Sequence, residues 1–406
     1  MSAYQRPPGV PEVWDRRGLP AWTYNSEELL ELESDLLFRR HWQIVCHESH
    51  LPDPGDFQTL DLVGERAVVV RGKDGAIRAF HNVCRHRGSR VVADRYGSCK
   101  GALVCPFHGW VYNLDGTLRG AARPDSLPDL DRETWGLKPI EMEIWHGFIF
   151  VRFLESDQPS VADIMARRET EVTPYRLDAL EPIGGISLYG ADVNWKSVRD
   201  VDNEGYHVAM AHPALQDLYG STYFDEPFVD GTSRSYATFD EGASRLWSVR
   251  NYKKLLPEVP YLPESHRRAW LYIGLFPNSV LMFYPDSIGF YQEFPLSTGE
   301  TLQRAAQYHV PVPKEQQRQM NAARCLSGRI DRDTVAEDIQ LTEWSNEATR
   351  SSGYDGILLS DHEYGVRSHH DAMRALMPVM TLDDEPPAGR LRELNATMLT
   401  STLAAE

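Results

Sequence analysis

Two short segments, Cys84-Arg85-His86 and Cys105-Pro106-Phe107-His108, each set one thiol beside one imidazole, and 18 residues separate them. Four such ligands in two close pairs form the pattern of a transition-metal site. Tetrahedral zinc accepts two cysteines and two histidines. Its finger-type order, however, puts both cysteines first and spaces the histidines three to five residues apart. Here cysteine and histidine alternate. That suits a two-iron cluster with thiolates on one iron and imidazoles on the other, an arrangement that raises the potential above that of an all-thiolate cluster. A second concentration lies further on, where His207 and His212 share a segment with Asp200, Asp202 and Glu204. Those residues can hold a divalent metal. They can equally be the buried and the surface histidine of an ordinary helix beside solvated acids.

The elements around the first pair read as short strands. Val68 to Val70 and Ala76 to Phe80 are strand-like, and Gly101 to Cys105 leads from a third strand into the second ligand loop. Asp115-Gly116 between apolar runs marks a tight hairpin. Gly88 and Gly109 follow the two ligand loops, where close backbone approach favours a residue without a side chain. Pro106 is an ordinary turn proline or a stiffener of its loop, and Trp110 is expected to pack beneath the metal. Before these lies a proline-containing arm and a helix capped near Asn25 or Ser26, with Leu29, Leu32, Leu36 and Leu37 at helical spacing. The polar stretch Glu155 to Ser160 is the expected domain boundary. Beyond it, Ala269 to Phe276, Ser279 to Tyr284 and Gly289 to Phe294 alternate as strands, and residues 194–212, 314–328 and 333–350 read as helices. An antiparallel sheet with segregated helices is an α+β layout. On an ideal helix His207 and His212 would point about 140° apart. Pro213 disfavours the α conformation at the residue before it, so the helix should end at His212 and free that imidazole. Glu204, three residues before His207, should share its helical face.

The sequences CRHRG and CPFHGW resemble the Rieske signature, and Asn194-Trp195-Lys196 followed by acids and H-x₄-H resembles the iron segment of Rieske non-haem iron oxygenases. The resemblance covers nearly the whole chain and is to the large, or alpha, oxygenase subunit. It implies an N-terminal arm and helix over 1–40 packed on the catalytic domain, an all-β Rieske domain over 41–155 and a helix-grip catalytic domain over 156–406. It implies a 2Fe–2S cluster on Cys84, His86, Cys105 and His108, and a mononuclear Fe(II) on His207, His212 and a distant carboxylate, with O₂ as co-substrate. In Asp333 to Glu343 that carboxylate is expected to be Asp338, with Glu337 its nearest rival and Glu343 a weaker one. Glu204 is expected as a catalytic bridge, hydrogen-bonding His207 and a cluster histidine, His86 or His108, of a neighbouring subunit in a homotrimer. Asp200 stands where many relatives carry Asn. Electrons would come from NADH or NADPH through a separate flavin reductase, with or without a ferredoxin.

Composition is ordinary for a globular protein and does not choose a substrate. The chain has 406 residues, more than a bare electron carrier of about one domain needs. With 42% hydrophobic and 25% charged residues it can bury two cores. A formal net charge of −17 argues against nucleic acid as a partner. Cys46, Cys99 and Cys325 are an odd, scattered remainder without a disulfide framework, as in a reducing cytoplasm. No run suggests a signal peptide or a membrane span, so a soluble cytoplasmic protein is expected. No G-x-G-x-x-G or P-loop binds a nucleotide. The aromatic residues Trp247, Tyr252, Tyr261, Trp270, Tyr272, Phe283, Tyr284 and Tyr291 are candidates for a pocket. Aromatic faces cage quaternary ammonium groups and also line pockets for aromatic rings. The look of the chain is nearest the glycine betaine, choline and stachydrine monooxygenases, which implies N-demethylation or hydroxylation of a betaine. The alternatives are a ring-hydroxylating dioxygenase acting on an aromatic acid and a non-catalytic electron carrier.

Overall fold

The computed structural model describes residues 6–403, so the first five residues of the expected arm lie outside it. The chain divides into two compact units, Phe38–Asp163 and the stretch up to Leu37 together with Ile164 onward.

The first unit is all-β. Strand β1 (Gln43–His47) pairs with β10 (Phe148–Arg152), which pairs with β9 (Glu141–Trp145), all antiparallel. A second sheet has the order β4 (Ile77–His81), β3 (Glu65–Arg71), β2 (Asp56–Leu62), β5 (Tyr96–Ser98). A small third sheet joins β6 (Leu103–Val104), β7 (Val111–Tyr112) and β8 (Leu118–Gly120). The Asp115-Gly116 turn connects β7 to β8, with Gly116 at φ 86°, a left-handed conformation that glycine adopts without strain. Val68, Val70, Phe80, Leu103 and Tyr112 pack into one core under the third sheet. The polar stretch after Arg152 is not the edge of the unit. Arg152 Nη1 donates to Gln158 O at 3.0 Å, Trp42 Nε1 to Pro159 O at 2.9 Å and Val161 N to Glu143 Oε2 at 2.7 Å, so the boundary expected at 155 moves eight residues on, to Asp163.

The second unit is built on an antiparallel sheet in the order β11 (Glu181–Pro182), β18 (Glu300–His309), β17 (Ser287–Ser297), β16 (Ser279–Phe283), β15 (Ala269–Leu275), β14 (Thr232–Thr238), β13 (Phe224–Val229), with β12 (Ser187–Ala191) also on β18. Tyr272 pairs with Met282 and Met282 with Gly289, so every second residue of these strands faces one side. Leu271, Ile273, Leu281 and Phe290 on the other side are buried. The helix Lys314–Ala348 runs unbroken for 35 residues where two helices were expected. Gly328, mid-helix, weakens it by only about 1 kcal/mol and nothing there interrupts the hydrogen-bond ladder. The segment 194–212 departs the other way: it splits into Trp195–Asp202, an irregular turn and Val208–Ala211, before Pro213–Tyr219. Gly205 forces the turn. Its N–H donates to Asp225 Oδ2 at 2.9 Å, and a Cβ on it would collide with the Tyr223 ring.

Candidate metal centres

In the first unit the two ligand segments fold as matched turns. Gly88 N donates to Cys84 O at 2.9 Å and Gly109 N to Cys105 O at 3.0 Å. Cys84 N donates to Ser89 O at 2.7 Å and Cys105 N to Trp110 O at 2.8 Å. Both glycines have positive φ, 72° and 66°, which closes each turn without strain. Cys84 and Cys105 are buried, and the His86 and His108 rings stand edge to face 4.6 Å apart toward the surface. Trp110 stacks on His86 at 5.1 Å. The Tyr112 hydroxyl accepts from Arg85 N at 3.0 Å and lies 3.3 Å from Cys84 Sγ. Burial and the adjacent sulfur hold it protonated well above its ordinary pKa, so its proton points at the sulfur. Two buried thiols inside and two imidazoles outside fit a cluster with sulfur on its inner iron and nitrogen on its outer one.

In the second unit the Asn194-Trp195-Lys196 entry anchors the iron segment. Asn194 Oδ1 accepts from Lys196 N at 3.0 Å and caps the helix. Trp195 Nε1 and Lys196 Nζ both reach the buried Glu33, at 2.8 and 2.6 Å. After the Gly205 turn, His207 opens the next helical turn, and His212 leaves the α region at φ −116°, ψ 83° before Pro213. The two Nε2 atoms come to 2.9 Å of each other. Asp338 Oδ1, from helix 314–348, lies 2.9 Å from His212 Nε2 and 3.5 Å from His207 Nε2. The opposite ring nitrogens are held by other carboxylates: Glu204 Oε1 on His207 Nδ1, and Glu337 Oε2 on His212 Nδ1 at 2.8 Å.

This pattern fixes the chemistry. With each Nδ1–H donating to a carboxylate, both Nε2 atoms present lone pairs. Those lone pairs converge with Asp338 Oδ1, which is buried and has no partner in hydrogen-bonding geometry among the described residues. Three lone pairs meeting at one point require a cation. Two imidazoles bound side by side to an ion at about 2.1 Å stand about 3 Å apart, the spacing observed. His207, His212 and Asp338 can therefore hold a metal. Burial opposes charge on His207, but the neighbouring Asp338 and Glu204 carboxylates push its pKa up to about 10. The carboxylates that favour a proton there also favour a divalent ion.

Glu337 sits on the far side of His212, so it orients that ring rather than competing with Asp338. Glu343 is not in the group; it accepts from Gln340 Nε2 at 3.4 Å. Asp200 faces away from the convergence point and accepts from Tyr24 OH at 2.5 Å and His370 Nε2 at 2.7 Å. Asp202 accepts from Arg199 Nη1 at 2.6 Å and Tyr291 OH at 2.5 Å. Glu204 meets His207 from a turn rather than from a shared helical face, its other oxygen accepting from the backbone N–H of Tyr206 and His207.

A cavity of about 640 Å³ opens beside His207 and Asp338. Of the expected aromatic residues, Tyr272, Tyr284 and Tyr291 line it; Trp270, Tyr252 and Phe283 are core residues away from its wall, Trp247 is exposed, and Tyr261 donates to Pro311 O at 2.9 Å. Tyr219, Tyr223, Phe228, Asp225, Glu293 and Asp331 also line it and were not anticipated. Tyr219 and Tyr223 follow His212-Pro213 closely enough for the sequence to have suggested them.

The catalytic-domain model for ring-hydroxylating alpha subunits matches residues 167–379, more than half the chain. The chain belongs to the ring-hydroxylating alpha-subunit family. The Rieske [2Fe-2S] domain model matches residues 41–131. The carnitine monooxygenase oxygenase subunit of Acinetobacter pittii is 29% identical, over 91% of this chain and 96% of its own. The glycine betaine monooxygenase oxygenase subunit of Chromohalobacter salexigens is 30% identical, over 91% and 88%. The fold matches a crystal structure of the quaternary ammonium Rieske monooxygenase CntA (TM-score 0.72, 24% identity, 90% and 96% covered) and naphthalene 1,2-dioxygenase with indole bound (0.70, 20%, 95% and 96%). The protein is thus an oxidoreductase, a Rieske oxygenase with a 2Fe–2S cluster, a mononuclear iron and O₂ as co-substrate. No helix among the described residues is long and apolar enough to cross a membrane.

Proposed function

We propose that this subunit monooxygenates a small quaternary ammonium compound of the betaine class at a C–H bond next to nitrogen. The observation that carries the reading is the charge of the cavity: seven carboxylates line it against two guanidinium groups, interleaved with tyrosine rings. Such a wall attracts a cation, both electrostatically and through aromatic faces. A betaine brings a cation to meet it, an aromatic acid brings only a further negative charge, and a neutral hydrocarbon brings no charge. The names of the two relatives, a carnitine and a glycine betaine monooxygenase subunit, agree with this choice.

In this reading Cys84, Cys105, His86 and His108 hold the cluster and His207, His212 and Asp338 the mononuclear iron, which when reduced supplies the O₂ chemistry. Glu204 and Glu337 keep each imidazole in the tautomer that presents Nε2. Tyrosines and apolar side chains keep water from the substrate carbon. Oxygen insertion beside nitrogen yields a quaternary hemiaminal, which releases its hydroxyl proton and breaks its C–N bond to give an aldehyde and a tertiary amine.

A separate NAD(P)H-dependent flavin reductase, with or without a ferredoxin, would supply electrons to a head-to-tail homotrimer. Exposed apolar side chains stand beside each metal site, Phe107 and Trp135 near His86 and His108, Tyr206 and Met210 near His207. Covering them is the natural work of a subunit interface. Structural work on CntA is described as revealing inter-subunit electron transfer. Glu204 would relay such transfer, since a carboxylate oxygen already bonded to His207 keeps a lone pair for a partner imidazole.

The test is product analysis by mass spectrometry with a surrogate reductase, offering betaines and aromatic acids side by side. Loss of a quaternary ammonium compound with an aldehyde and a tertiary amine formed is expected. Aromatic diols with every betaine intact would overturn the reading. A non-catalytic carrier would bind about two irons per chain and an oxygenase about three.

A further inference from the structure

Asp331 stands apart among the carboxylates of the cavity. Asp202 and Glu293 share Arg199, with contacts of 2.6 and 3.4 Å. Glu226 is paired with Arg168 and Arg234. Glu204 and Asp338 belong to the histidine site, and Asp225, which also makes no ion pair among the described contacts, is satisfied by Gly205 N and Tyr223 OH. Asp331 makes one hydrogen bond among those described, from the neutral Tyr284 hydroxyl at 3.2 Å. Arg332 beside it on the helix is exposed and forms no ion pair with it among the described contacts.

Its position is fixed by helix 314–348. It lies seven positions before Asp338, two turns along the same face, about 10.5 Å along the axis. The two carboxylates therefore mark two ends of one small-molecule length of cavity wall. Around Asp331 the tyrosines form a linked set: Tyr284 OH lies 2.7 Å from Tyr272 OH, which lies 3.5 Å from Tyr219 OH. All three rings line the cavity. The Tyr284 ring is also stacked on Trp270 at 4.0 Å, which fixes its hydroxyl toward Asp331.

We propose that Asp331, framed by Tyr219, Tyr272 and Tyr284, is the subsite that reads the positive charge of the substrate and thereby directs its adjacent carbons toward the Asp338 end. The inference rests on the quaternary ammonium reading and adds which residue discriminates charge. Burial and the nearby Asp286 carboxyl push Asp331 up to about 7 against the weaker pull of Tyr284 and Arg332, and a cation bound in the cavity would relieve that cost. A quaternary nitrogen has no N–H to donate, so an uncompensated carboxylate with aromatic neighbours suits it better than a hydrogen-bond acceptor set would.

The experiment measures binding to the iron-loaded, oxygen-free protein by calorimetry. The probes are glycine betaine and choline, each paired with the neutral-headed analogue in which a tert-butyl group replaces trimethylammonium. Wild type should bind the cationic member at least about tenfold more tightly. In Asp331→Asn that preference should fall at least about tenfold, with analogue binding, iron content and cluster spectrum unchanged. Tyr284→Phe removes the donor that favours the ionised form of Asp331, so more of the carboxyl is protonated and the preference should fall at least about threefold. A wild-type preference that survives intact in Asp331→Asn overturns the proposal and leaves the functional reading standing. No preference in wild type overturns both.

Discussion

Replacing Glu337 and Asp338 one at a time separates two carboxylates that adjoin in sequence but occupy opposite edges of one imidazole. Asp338 Oδ1 is 2.9 Å from His212 Nε2, where the lone pairs converge, and Glu337 Oε2 is 2.8 Å from Nδ1. Asp338→Asn keeps the shape and removes the only ligand charge, so the mononuclear iron should be lost outright. Glu337→Gln keeps the ligands and weakens the group that orients one of them, which costs roughly 10- to 100-fold in metal affinity, or about 1.4–2.7 kcal/mol. Exposure sets the place within that range. The Glu337 side chain is 36% exposed and its charge is screened, so about tenfold is expected; Glu204 is 11% exposed, and Glu204→Gln should fall nearer a hundredfold. The assay is competition with a ferrous chelator under nitrogen, counting iron per chain with the cluster absorbance as internal standard. An emptied site in Glu337→Gln alongside a retained iron in Asp338→Asn would refute the assignment, because the carboxylates would then have exchanged roles.

His86→Cys or His108→Cys should lower the cluster's reduction potential and change its EPR signature, since thiolate donates more charge than imidazole; zinc at one equivalent without acid-labile sulfide would end the cluster assignment. Glu33→Gln leaves Lys196 buried without a counter-charge and should destabilise the protein by about 3–5 kcal/mol, read as a fall in denaturant midpoint, whereas an unchanged midpoint would show the 2.6 Å pair to be energetically neutral. Asp331 has a folded pKa of about 7 against an ordinary 3.8, so the folded state binds the extra proton, and the stability this gives is complete below pH 3.8 and lost as pH rises through 7. Asp331→Asn should therefore be more stable than wild type at pH 8, by on the order of 3 kcal/mol after discounting for water in the cavity, with the gain shrinking toward pH 4; equal stabilities at pH 8 would show the carboxylate to be well solvated.

What could be read from the sequence was what local spacing determines. The ligand turns at 84–88 and 105–109 close on themselves by hydrogen bonds between residues four apart, so their chemistry is written in adjacent residue types. Pro213 acts on its immediate neighbour, and His212 leaves the helix as expected. The turn at Gly205 was hidden because its cause is distant: it is held by Asp225 on β13 and shaped by the Tyr223 ring. Asp331 was hidden for a related reason. A helix taken to break between 328 and 333 severs the register between Asp331 and Asp338, and without that register Asp331 is one more acid in a solvated run. The unbroken helix turns a seven-residue interval into a distance, and the tyrosines that face it arrive from β15 at Tyr272, from the turn just after β16 at Tyr284 and from the helix ending at Tyr219. Metal ligands announce themselves because their chemistry demands particular residue types. A substrate-reading carboxylate is chemically ordinary, and only its single neutral donor and its place among the cavity tyrosines, properties of the folded surroundings, set it apart.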